Sequence, residues 1–195
     1  MKKSVELKII QLIKKIFPYN RSLTGDGNRK TLFEIKKILK SLKIVQYKSG
    51  EKVFDWTIPP EWNVKNAFIK YNKKKIIDFK RNNLHLLGYS SPFKQKISLD
   101  VLKKHLHTDK ENQKAVPYVT SYYKRNWGFC VSKEFENKLK KGQYEININS
   151  SFKKNGKLTI GELIIKGKSK KEILLSTNIC HPSMANHETS GISIV

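Results

Sequence analysis

Apolar residues recur at helical spacing through the opening stretch "MKKSVELKIIQLIKKIF". Val5, Leu7, Ile9, Ile10, Leu12, Ile13, Ile16 and Phe17 alternate with lysines, which predicts an amphipathic core helix. The helix should end near Phe17 and Pro18, because proline disfavours helix in the residue before it. "PYNRSLTGDGNRK" reads as a loop, with Thr24 or Asp26 to cap the next helix. That helix, "RKTLFEIKKILKSL", carries a stripe of Leu32, Phe33, Ile35, Ile38, Leu39 and Leu42. "KIVQYK" follows as a strand.

The period changes near Ser49 and Gly50. "EKVFDWTIPPEWNVKNAFIKYNKKKIIDF" has short alternating segments and a turn-like "YNKKK", the pattern of strands and hairpins. "SLDVLKKHL" predicts a short helix capped by Ser98. "YVTSYY" and "WGFCVS" predict strands, and "SKEFENKLKKG" a short helix stopped by Gly142. "YEININSSF", "GKLTIGELIIKG" and "KEILLSTNI" predict three more strands, the last short, apolar and buried. The order is that of an α/β domain (1–48 and 158–195) interrupted by a β-rich insertion over 49–157.

No apolar run approaches the ~20 residues that a bilayer span requires. The basic N-terminus has neither a continuous apolar core nor a small-residue cleavage site, so a cytoplasmic location is expected. The formal net charge of +24 points toward polyanions. Nearly all of it is lysine, spread along the chain with short runs at 73–75 and 168–171. Arginine, which makes most bidentate base and phosphate contacts, occurs only at 21, 29, 81 and 125. A coding bias toward Lys, Ile and Asn accounts for this better than a dedicated nucleic-acid site. Salt-sensitive, non-specific polyanion binding is the expectation, with no membrane partner. Cys130 and Cys180 lack CxxC partners, which excludes zinc fingers and disulfide frameworks.

Candidate chemistry concentrates in "NICHPSMANHETSG", residues 178–191. His181 follows the predicted strand, where functional residues of α/β sheets gather. On spacing alone it is either a metal ligand or a loop histidine with an ordinary hydrogen bond, since catalytic zinc needs three protein ligands. Elsewhere, His105 and His107 form an H-x-H that would share one face on a strand, as suits a metal, or would sit at the end of the preceding helix in a structural or surface role. "PYVTSYYKRNWGFC" is dense in aromatics, so Tyr123 and Trp127 are candidates for stacking on a sugar or peptide, against a plain packed sheet. Arg21 in "NRSLTGDG" could hold a carboxylate or phosphate, or merely pack; the glycines are no P-loop.

Ordered stretches across the chain carry a resemblance: "FPYNRSLTGDGNRKTL", "SGEKVFDWTIPPEWNV", "NLHLLGYSSPF", "LKKHLHT", "AVPYVTSYYKRNWGFCVS", "GELIIKG" and "STNICHPSMAN" with a following "SG". With these the chain resembles the bacterial aminopeptidase-like family called polysaccharide-biosynthesis proteins with an aminopeptidase-like domain (DUF4910 with inserted DUF2172), related to M28 zinc peptidases. The resemblance implies an M28-like (phosphorylase/hydrolase-like) α/β domain with a β-rich insert, and a zinc site in which His181 binds one metal. It also implies that His107 faces the substrate cleft. The position of His187 is usually a bridging Asp in that family. Imidazole offers one lone pair and cannot bridge two cations as a carboxylate can. Glu188 is the substitute carboxylate at hand, but one residue along it is expected to point elsewhere.

The resemblance places the remaining acids, the general base and a second His in a later half, beyond "GISIV" at Val195. The leading expectation is therefore the N-terminal fragment of a zinc-dependent aminopeptidase-like hydrolase, inactive by itself and with zinc weakly held or absent in this chain. Poor solubility, or assembly with a separately encoded C-terminal half, is expected with it. The alternative is a non-catalytic module that binds a glycan or peptide and is linked to surface polysaccharide synthesis.

Overall fold

The structure, a computed structural model, describes the backbone of residues 2–195 and the side chains of residues 5–195. In chain order the elements are α1 (Lys2–Ile16), α2 (Asp26–Ile38), β1 (Lys43–Lys48), β2 (Lys52–Val53), β3 (Trp56–Thr57), β4 (Glu61–Tyr71) and β5 (Lys74–Asp78). There follow β6 (Phe93–Ser98), α3 (Leu99–Lys103), β7 (Leu106–His107), β8 (Phe129–Cys130), α4 (Lys133–Asn137), β9 (Gln143–Lys153), β10 (Lys157–Glu162) and α5 (Ser190–Ile194). The chain divides into two compact units, one of Met1–Glu61 with Lys153–Val195 and one of Trp62–Phe152. No helix among the described residues is long and apolar enough to cross a membrane.

The first unit is a small α/β arrangement. β1 pairs antiparallel with β10, with Val45 opposite Ile160. Leu32 of α2 lies on β10 where Gly161 leaves room; a Cβ at Gly161 would come within 2.8 Å of the Leu32 methyl. Ile16, Leu32, Leu42, Ile58 and Ile192 are buried here. α1 forms where the periodicity places it. Its Val5, Leu7 and Ile10 nonetheless remain exposed, so it is a core helix only toward its C-terminal end.

The second unit is built on a four-stranded sheet in the order β5-β4-β9-β6. The β4–β5 hairpin turns at Asn72 and Lys73, both at positive φ, the geometry that lets a two-residue turn follow the twist of its strands. Tyr144, Ile146, Ile148 and Ser150 alternate inward along β9. The buried Ser90 carbonyl accepts from Trp62 Nε1 (2.9 Å) and from Ser150 Oγ (2.7 Å). Ser98 and Ser132 cap α3 and α4 through their side chains, accepting from Val101 and Phe135 amides.

The second compact unit, Trp62–Phe152, lies within the 49–157 stretch expected for the insertion. Residues 49–61 stay with the first unit because Gly50 and Ile58 close a hairpin there and Glu61 pairs with Arg29. "YVTSYY" forms no strand; it contributes one isolated bridge, Thr120 to Gly88. "KEILLSTNI" is not a strand either, and its Ile173, Leu174 and Leu175 are exposed instead of buried. A continuous apolar run encodes burial on both faces only where a neighbouring strand is there to pair with it.

Candidate functional site

The site is assembled from a loop ahead of α2 and the loop leading into α5. The first loop is cinched by Asn28, which accepts from the Ser22 amide (2.9 Å) and donates back to the Ser22 carbonyl. Thr31 Oγ1 donates to the Gly27 carbonyl at 2.9 Å. Gly27 is obligatory, since a Cβ there would sit 1.9 Å from the Asn20 carbonyl oxygen. α2 starts at Asp26, with Gly25 rather than a polar side chain at its N-cap. Arg29 then anchors its first turn to Glu61 through two bonds, 2.7 and 3.0 Å, while Asp26 takes a further contact. Glu61 also accepts from the Lys157 amide at 3.0 Å.

This frame buries Arg21 completely. Its guanidinium donates to the Ile16 carbonyl, and Nε and the second terminal nitrogen find no hydrogen-bond partner. Burial lowers its pKa, and the nearby Glu188 and Cys180 oppose that shift. Arg21 is thus no open cleft residue. It is a sequestered cation beside the second loop.

The second loop holds its own geometry. Ser183 takes a positive φ after the buried Pro182. Residues Ala185–Thr189 form a π-helical turn, closed by the Thr189 amide on the Met184 carbonyl at 3.1 Å. The wider turn carries Glu188 inward, where it is buried, and leaves His187 64% exposed at the side chain. The Glu188 carboxylate lies near the backbone amides of His181 and Cys180; its Oε1 is 3.9 Å from Cys180 Sγ and 3.9 Å from His187 Nδ1, and its buried Oε2 has no hydrogen-bond partner. Burial pushes the carboxyl above its ordinary pKa; the two amides, His187 and Arg21 pull it part of the way back. Glu188 is therefore turned into the fold. The π turn adds rotation that a regular helix lacks, and it is His187 that turns outward.

His181 is half-buried, and burial lowers its pKa, which favours the neutral ring. Its Nδ1 lies against the Pro182 carbonyl. A carbonyl only accepts, so Nδ1 carries the proton and the lone pair is on Nε2. That is the tautomer a metal-ligating imidazole uses. Against a zinc ion the residues fit in part: a neutral His181 and a buried carboxylate at Glu188 are suitable donors. Among the described residues no three His, Cys, Asp or Glu side chains come together, and a catalytic zinc takes three.

The remaining candidates lie in the second unit. His107 stands on β7, and its buried Nε2 has no hydrogen-bond partner. Burial and His105 both lower its pKa. The His105 ring stacks on Trp127 at 3.7 Å, and Phe93 stacks on the same indole at 3.9 Å. Trp127 is therefore packed already, which leaves Tyr123, 86% exposed, as the accessible ring of this stretch. Sequence reasoning missed Asn28, Cys180 and the Arg29–Glu61 pair; only the small, polar texture of "NRSLTGDGN" hinted at a loop so tightly bonded.

Residues 61–151 match the family model described as "Domain of unknown function (DUF2172)", almost the span of the second compact unit. The chain is 48% identical over 189 residues to a Clostridium acetobutylicum protein named "Putative polysaccharide biosynthesis protein with aminopeptidase-like domain". That match takes in 96% of this chain and 43% of the relative. A crystal structure described as a "putative peptidase" from the same organism superposes with a TM-score of 0.93 at 47% identity, over 99% of this chain and 46% of the other. The chain thus spans less than half the length of the relatives it matches.

Proposed function

We propose that this chain contributes one wall of the active centre of an aminopeptidase-like hydrolase related to the M28 zinc peptidases. The observation that carries the reading is that one loop holds both His181, whose Nδ1 faces the Pro182 carbonyl, and a buried Glu188. The likeness to an aminopeptidase-like protein and a peptidase structure supports it. His181 and Glu188 would hold zinc, which when bound polarises a carbonyl and acidifies a water. The protein's own part is to keep His181 neutral, to orient its ring through Pro182, and to place the Arg21 cation behind the carboxylate. Two donors are too few for turnover, so the 195-residue chain is inactive by itself. The test is hydrolysis of aminoacyl p-nitroanilides with added zinc. No turnover above the blank is the expected result, and zinc-dependent turnover by this chain alone would overturn it.

A second reading assigns glycan or peptide binding to the Trp62–Phe152 unit. The exposed Tyr123 ring favours it, and so does the polysaccharide term in the relative's name. Glycan-array binding lost in Tyr123→Ala and kept in Trp127→Phe would support it; binding indifferent to Tyr123 would remove it.

A further inference from the structure

Residues 163–178 stand out from the rest of the first unit. β10 ends at Glu162, and the next described residues in a regular element begin at Ala185. Two apolar runs lie between, at 163–165 and 173–175. Ile165 is 85% exposed, Ile173 91% and Leu174 88%, with Ile164 and Leu175 also in solvent. Scattered exposed leucines need no explanation, but consecutive ones do. Three apolar residues in a row on a strand put apolar side chains on both of its faces, the pattern of a strand covered above and below. The segment is anchored at both ends. β10 pairs with β1 on one side, and on the other Thr177 packs against Gly191, where a Cβ would come within 2.6 Å of its hydroxyl. Between those anchors, no strand pairing among the described residues engages it.

The occupant follows from the comparison. The solved relative has this same region, 99% of this chain at a TM-score of 0.93, as only 46% of its length. We propose that residues 163–178 are a docking strand for polypeptide homologous to the part of that relative outside the match. Its pairing covers Ile164, Ile165, Ile173, Leu174 and Leu175. The segment leads directly into Cys180 and His181, so docking also fixes the stem of the site loop. The proposal does not depend on the catalytic reading, because its test reads association and amide protection rather than turnover.

The full 195-residue chain is co-expressed with that part of the Clostridium relative, and hydrogen exchange over 163–178 is followed by mass spectrometry. Expected are a 1:1 complex and exchange slowed roughly 100-fold or more across the segment relative to the chain alone. Leu174→Lys should abolish the complex while leaving the melt of the isolated chain unchanged, since Leu174 is exposed there. If the second polypeptide is insoluble when separate, the two are fused into one chain and the same protection is read. The proposal is overturned by soluble partners that do not associate. It is equally overturned by a complex or fusion in which 163–178 still exchanges freely, or by a homodimer of this chain formed through the segment.

Discussion

Replacing Glu61 by Gln removes the charge that anchors α2 and, behind it, the loop that carries Arg21. Glu61 is buried and accepts from Arg29 at 2.7 and 3.0 Å and from the Lys157 amide at 3.0 Å. The pair holds the Arg29 guanidinium well above its ordinary pKa, with hydrogen bonding to Glu61 as the largest cause. A hydrogen bond to a charged group contributes about 1.5–3 kcal/mol net, and Gln would also turn an amide donor toward a donor. Two features hold the loss to the low end. Arg29 keeps Asp26, and its side chain is 20% exposed, so water relieves part of the stranded charge. A loss of about 2 kcal/mol results, or about 4–8 °C in Tm for a chain of this size. Urea unfolding of wild type, Glu61→Gln, Arg29→Gln and the double variant measures it, with a coupling energy of about 2 kcal/mol expected. A Glu61→Gln variant within about 0.5 kcal/mol of wild type, the ordinary range of a surface substitution, would refute the reasoning.

Acidification should weaken the fold through His107. Its folded pKa lies below the ordinary imidazole value of about 6.5, so the unfolded state binds its proton first. Stability is then whole above about 6.5 and declines as pH falls from there toward the folded value; His107→Asn should flatten that slope in melts between pH 7 and 5. An unchanged slope would assign it to other groups. The Cys130 thiol is fully buried and pushed up to about 11 by desolvation. It should resist iodoacetamide in the native protein and react at once in urea, as read by mass; rapid native alkylation would contradict the burial. Heparin binding driven by the +24 charge should fall steeply between 50 and 200 mM salt, on the order of tenfold or more. Affinity that holds through that range would point to a specific site instead.

Local signals in the sequence reach as far as local physics does. Pro18 ends α1, Ser98 and Ser132 cap their helices, and "YNKKK" turns the hairpin, because each depends on a few neighbouring residues. The β1–β10 pairing joins residues more than a hundred positions apart and leaves no local trace. The 171–179 stretch misleads because its apolar pattern states a requirement for burial, not whether a partner meets it. In the site, "CHPSMANHETSG" announces the right loop, but periodic reasoning assumes regular turns. The π-helical turn at Ala185–Thr189 reverses the roles of neighbours, so Glu188 faces inward and His187 outward. Arg21 is hidden for the same reason. Its burial depends on Asn28 and Gly27 folding the loop back on itself, a contact no spacing rule displays.

The central claim is that His181 and Glu188, rather than His187, form the donor pair. Competitive zinc titration of the wild-type chain against His181→Ala, Glu188→Gln and His187→Ala tests it most directly. The account predicts zinc binding that is lost with either of the first two substitutions and kept with the third. Binding that survives His181→Ala, or that depends on His187, would contradict it.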